Sequence, residues 1–129
     1  MRKAQISTEF VILISITTML FIFILGLIFE EISQVNEQKR LEAINDIGEF
    51  VQNEIVTATM VDDGYTRIFV LPEEKDGVYY NITLQKNSSI IITSANIQRE
   101  FIVPDVIGNI TKGANKIDKL GGIVYINVI

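Results

Sequence analysis

The sequence predicts an α+β chain: a long amino-terminal α-helix, hydrophobic and then amphipathic, packed by its carboxyl-terminal half on a small antiparallel β-sheet head. Three observations predict it. Residues 10–29 form an apolar run without a single charge, apolar residues then recur at helical spacing as far as Ala58, and beyond Asp62-Asp63-Gly64 the chain turns to short β-branched and aromatic runs. Taken in order, these features divide the chain into residues 1–4, 5–29, 30–61 and 62–129.

The charge-free run reads FVILISITTMLFIFILGLIF. Coiled as a helix it spans about 30 Å, the thickness of a bilayer's hydrocarbon core. Arg2 and Lys3 precede it and Glu30 and Glu31 follow it, so the positive excess predicts a cytoplasmic amino terminus and a body outside. A secretory signal would have a shorter apolar core followed by small residues at the cut, whereas Glu30-Glu31-Ile32-Ser33-Gln34 follows here. The helix is therefore expected to stay attached. Ser15, Thr17, Thr18 and Gly26 inside the run would let a second helix approach closely or satisfy hydrogen bonds in apolar surroundings.

From Glu30 the pattern becomes amphipathic. Ile32, Val35, Leu41, Ile44, Ile47, Val51, Ile55 and Ala58 recur at steps of mostly three or four, a single apolar stripe. Glu37, Lys39, Arg40, Glu42, Asp46, Glu49 and Glu54 are assigned to the opposite, wet face. No proline interrupts the chain between Gln5 and Thr59, so one helix on the order of 80 Å is expected, with Gly48 its weak point. A homodimeric coiled coil would require a sustained two-position heptad; the drift of the stripe and Gly48 fit packing against a sheet better.

Asp62-Asp63-Gly64 is a turn signal that ends the helix. Strands are predicted near residues 65–71, 78–85, 89–94, 98–103 and 123–128. The second alternates most clearly, Val78, Tyr80, Ile82 and Leu84 on one face and Tyr79, Asn81, Thr83 and Gln85 on the other. Short turns at 72–77 and 86–88 predict a meander of adjacent hairpins. Residues 104–122, more polar and containing Gly108, Gly113, Gly121 and Gly122, read as an extended loop with room for one irregular strand.

Composition narrows the function classes. With no His, Cys or Trp, the chain lacks the commonest general base, the thiol nucleophile and most transition-metal ligand sets. An enzyme would have to work through carboxylates alone, and no acidic pair occupies a recognisable pocket motif. No catalytic, cofactor or metal residues are therefore assigned. The clusters Asp62-Asp63-Gly64 and Glu73-Glu74-Lys75-Asp76 lack the spacing of a calcium loop and read as solvated turns. The net charge of −5 disfavours nucleic acid as a partner. Asn81-Ile82-Thr83, Asn87-Ser88-Ser89 and Asn109-Ile110-Thr111 have the form of N-glycosylation acceptors, making Asn81, Asn87 and Asn109 candidate sites.

At the head of the apolar run stands Arg2-Lys3-Ala4-Gln5-Ile6-Ser7-Thr8-Glu9-Phe10. This stretch resembles the archaeal type IV pilin precursors with a class III signal peptide, in which a basic pair and a small residue precede Gln-x-Ser-x-Glu and the hydrophobic helix. Gln5, Ser7 and Glu9 match that motif; where the family commonly has Gly before the cut, this chain has Ala4. The resemblance, with its apolar run, covers about a quarter of the chain. It implies cleavage between Ala4 and Gln5 by a membrane aspartyl prepilin peptidase, removing Arg2 and Lys3. It further implies assembly by a pilus platform and ATPase into a self-polymer, with Glu9 paired to a neighbour's new α-amino group. The lipid bilayer would hold the precursor, and the assembled product would be a surface filament, often glycosylated, serving adhesion or attachment. The reading left open by hydropathy alone is a single-pass anchored protein whose β domain binds a ligand or partner outside the cell.

Overall fold

The computed structural model describes residues 2–86 and 88–128, with the side chains of residues 2–6 excepted. One helix, α1 (Arg2–Met60), is followed by β1 (Thr66–Leu71), β2 (Glu74–Lys75), β3 (Val78–Tyr79), β4 (Asn81–Gln85), β5 (Ser89–Ser94), β6 (Ile97–Ile102), β7 (Val106–Gly108), β8 (Gly113–Leu120) and β9 (Ile123–Ile126). The fold is α+β, and α1 packs through its carboxyl-terminal part on sheets in which antiparallel pairing dominates. The chain divides into two units, Met1–Glu37 and Gln38–Ile129, and α1 contributes to both.

In the first unit every described side chain from Ser7 onward is exposed. In the second, α1 buries Ala43, Ile44, Ile47, Val51, Ile55 and Ala58 to 4% exposure or less. They meet Phe69 and Leu71 of β1, Ile117 of β8, Val124 and Ile126 of β9, and Ile90 and Ile92 of β5 in one core. Removing a side chain such as Ile44 or Ile55 from water contributes about 2–3 kcal/mol. The predicted stripe is thus buried from Ile44 onward, while its first members Ile32 and Val35 remain about half exposed.

Glu54 departs from expectation. Its position lies between Val51 and Ala58 on the stripe, and it is buried at 7% exposure, not solvated on the wet face. Arg67 of β1 supplies the countercharge at 3.0 Å. An ionised carboxylate in that place requires such a partner, because burial of an unpaired charge is far costlier than burial of any neutral group. Gly48, the expected weak point, is where the Phe101 ring of β6 rests on the helix: a Cβ there would fall 2.1 Å from the ring. Close packing thus offsets part of the about 1 kcal/mol lost in helix propensity.

The sheets correct the expected meander. Successive hairpins build β4-β5-β6 and the small β2-β3 pair, but the four-stranded sheet has the order β1-β8-β9-β7, and β7 runs parallel to β9. The expected strand at 78–85 is interrupted at Tyr80, with β3 pairing with β2 and β4 with β5, although the alternation of buried and exposed residues persists through it. The expected loop at 104–122 holds β7 and β8, and β8 is the strand on which β1 and β9 both pair. Its inward positions are Asn115 and Ile117. The final strand stops at Ile126, because Asn127 adopts φ +53.

Asn115 explains why a polar residue occupies a fully buried position. Its Oδ1 accepts hydrogen bonds from the Thr111 amide (2.9 Å) and from Asn127 Nδ2 (2.8 Å), and its Nδ2 donates to the carbonyls of Thr111 (2.7 Å) and Gly113 (3.0 Å). The side chain thereby satisfies backbone groups of the bend between β7 and β8 that no strand could reach.

The helix end is closed from the same hairpin. The last turn of α1 contains no basic residue, but Lys119 of β8 donates from Nζ to the carbonyls of Thr59 (2.8 Å) and Val61 (2.6 Å). A cation at the negative end of the helix dipole, bonded to otherwise orphaned carbonyls, is stabilising on both counts. Asp63 accepts the Gly122 amide at 2.9 Å, and Gly64, at φ +93, turns the chain into β1. Lys119→Met keeps the stem and removes the charge; it is expected to lower head stability by about 1–2 kcal/mol. The check is thermal unfolding followed by the near-ultraviolet signal of the four tyrosines, all of which lie beyond residue 64.

Candidate functional site

The candidate site is the outward surface of α1 in the first unit. The long apolar side chains from Phe10 to Phe29 are each between 37% and 77% exposed. Among the described residues the window is unburied, and α1 is long and apolar enough to cross a membrane. Exposed apolar patches above a few hundred Å² mark an interaction surface, with lipid or with protein.

The local chemistry suits apolar surroundings. Ser15 donates to the Val11 carbonyl (2.8 Å) and Thr17 to the Leu13 carbonyl (2.9 Å), both one turn back. These hydroxyls are satisfied inside the helix, which lowers the cost of placing them in hydrocarbon. Gly26 has open space around it, with nothing within 4 Å of a Cβ built there. The helix backbone can therefore be approached closely at that point.

The motif residues fall on this same helix. Arg2, Lys3, Ala4 and Gln5 lie within α1, and their side chains are outside the described residues. Ser7 and Glu9 are exposed, the latter just before the charge-free run. Because α1 begins at Arg2 and its first turn holds no acidic residue, Glu9 lies beyond the reach of the helix dipole, and in an apolar environment its carboxylate requires a cationic partner or a proton.

Of the glycosylation candidates, Asn81 is exposed on β4 and Asn109 is exposed just after β7, whereas Asn87 lies outside the described residues. The structure sets them in different surroundings. Asn109 is tied at the backbone, its amide donating to the Ile126 carbonyl (3.2 Å) and its carbonyl accepting Asn127 Nδ2 (2.9 Å). Asn81 opens instead on a cleft of about 380 Å³ whose lining includes Tyr79, Thr93, Ser94 and Lys112.

That cleft was only half visible in the sequence. Alternation places Tyr79 and Asn81 on one face, but Lys112 comes from the stretch read as a loop. Its ammonium sits 5.1 Å over the Tyr80 ring and donates to the Glu73 carbonyl at 3.1 Å. The hydrogen bond and negative charge of Glu74 raise the pKa of Tyr79 above its ordinary value; burial, then the charge of Glu73, raises that of Tyr80. Both phenols stay neutral donors through the neutral range. Tyr80 donates to the Pro72 carbonyl at 2.6 Å and is buried, so Tyr79 alone presents its ring to solvent.

Comparison with known proteins adds no relative: no family model, no curated protein and no solved structure matches this chain.

Proposed function

We propose that this chain is a structural subunit of an archaeal type IV pilus-like surface filament serving adhesion or attachment. The observation that carries the reading is the exposed, charge-free surface of α1 directly behind Gln5-x-Ser7-x-Glu9. Such a surface cannot remain in water. Lipid covers it first, with residues 1–4 in the cytoplasm and the head outside, and copies of the same helix cover it afterwards.

Cleavage between Ala4 and Gln5 by a prepilin peptidase permits that exchange. Arg2 and Lys3 hold the precursor in the bilayer, because drawing either through the hydrocarbon centre costs about 2.5–3.5 kcal/mol. Once they are removed, an assembly platform and its ATPase can lift the helix into the filament, where dispersion contacts between helices replace contacts with lipid. No catalysis by this chain is involved.

Glu9 sets the register. In the filament core its carboxylate meets the α-amino group that cleavage creates on the Gln5 of a neighbouring copy, and an unmatched carboxylate there is costly. Glu9→Ala is expected to insert and be cleaved normally while reducing surface filaments at least about tenfold, equivalent to a loss of about 1.4 kcal/mol per assembly step. Electron microscopy and quantification of sheared material check this. Wild-type filament levels from Glu9→Ala would overturn the pairing.

A further inference from the structure

We infer that Asn81 is an N-glycosylated residue whose first sugars lie on the exposed ring of Tyr79, in the cleft closed by Thr93 and Lys112. The inference rests on the reading that places the head outside the cell, and four observations carry it.

Asn81 and Thr83 are both exposed on the outer face of β4 while Ile82 points inward, so the two residues of the acceptor triplet that matter to transfer share one open face. Among the described residues β4 is an edge strand that pairs with β5 alone, and at Asn81 its outward side chain is exposed. Tyr79 is 71% exposed, and it stands across from Glu74 in the β2–β3 pair, so its backbone is fixed beside the acceptor. Polar groups line the same cleft: Thr93 stands directly across from Asn81 in the β4–β5 register, Ser94 donates to the Tyr79 main-chain carbonyl at 2.6 Å, and Lys112, anchored to Glu73, sits over the neighbouring Tyr80 ring. A flat apolar platform ringed by hydrogen-bonding groups fits the two-sided chemistry of a pyranose, with C–H bonds on one face and hydroxyls at the rim.

The Asn109 triplet is also open at Asn109 and Thr111 with Ile110 buried, but Ile107 and not an aromatic residue stands two positions before it. What sets Asn81 apart is the exposed Tyr79 on the same face of the strand.

The transfer balances simply. Asn81 Nδ2 forms a bond to C1 of a sugar carried on a polyprenyl phosphate or diphosphate, the C1–O bond to phosphate breaks, the lipid phosphate leaves with the electron pair, and the amide gives up one proton. A membrane oligosaccharyl transferase facing the head side supplies the reaction.

The test uses the full chain isolated from the cells that make it, as wild type, Asn81→Gln, Thr83→Val, Tyr79→Ala and Tyr79→Phe. Glycopeptide mass spectrometry is expected to find sugar on Asn81 in the wild type and both Tyr79 variants, and none on Asn81→Gln or Thr83→Val. The wild type is expected to unfold about 4 °C above Asn81→Gln. That gap should persist with phenylalanine at 79 and vanish with alanine, since the platform and not the hydroxyl holds the sugar. A bare Asn81 in the wild type overturns the inference, as does a gap that survives Tyr79→Ala. Unmodified Asn81 in protein recovered from filaments would overturn this inference alone; modified Asn81 with normal filaments from Glu9→Ala would overturn only the role given to Glu9.

Discussion

Gly108→Val is expected to unfold the β7 edge of the head and lower its stability by about 3 kcal/mol or more. Gly108 has φ +133, a conformation that a β-branched residue does not accept. A Cβ there would also fall 1.8 Å from the Ile126 carbonyl oxygen, which is backbone and cannot swing aside. That oxygen accepts the Asn109 amide, so the added carbon would displace a hydrogen bond as well as crowd the parallel β7–β9 pair. For a domain of this size the melting temperature should fall by roughly 15 °C. The tyrosine near-ultraviolet signal of the detergent-solubilised chain reads this directly, because helical signal from α1 would survive loss of the head. An unchanged melting temperature would show that β7 does not depend on a glycine there.

Asn115→Ala is expected to have a similarly large effect by a different route. It leaves the Thr111 amide and carbonyl, the Gly113 carbonyl and Asn127 Nδ2 without the partner that now serves all four. Each buried group so stranded costs about 1–3 kcal/mol unless water reaches it. With partial access of water the sum should come to about 3–4 kcal/mol. Asn115→Asp keeps the shape and the acceptor but sets an unpaired carboxylate oxygen against the Thr111 and Gly113 carbonyls in a fully buried position, and should cost at least as much as alanine. If alanine melts within a few degrees of wild type, the network is dispensable.

These two residues also show why part of the head was hidden in the sequence. Strand β8 alternates faithfully, yet its first inward position is Asn115, so an apolar-polar count sees no strand there. Glycines at its ends strengthened the impression of a loop; they are needed for tight turns, as φ +88 at Gly113 and φ +61 at Gly121 show. Pairing of β1 with β8 and of β7 with β9 brings together segments far apart in the chain or parallel, and local turn chemistry carries no information about either. By contrast, β4, β5 and β6 are joined by short turns and were legible as a meander. The helix was legible almost to its last residue, because the stripe and the Asp62-Asp63-Gly64 stop are both local signals.

Glu54 was misplaced for an instructive reason. The sequence reading put it on the wet face because it is charged, although its spacing of three from Val51 and four to Ala58 is that of the buried stripe; its burial depends on Arg67, which lies on another element and is invisible to local patterning. At the candidate site the balance is reversed. The apolar run and the motif are entirely sequence features, and the fold adds that the long apolar side chains of residues 10–29 are exposed. The Asn81 cleft lies between these cases, since its aromatic platform and acceptor are local but its lysine is not.

The most direct test of the account is mass spectrometry of the intact protein recovered from filaments sheared off the cell surface. The account predicts a chain that begins at Gln5, lacks Met1, Arg2, Lys3 and Ala4, and keeps residues 10–29. A chain that retains Arg2 and Lys3 and is found only in membranes would contradict it.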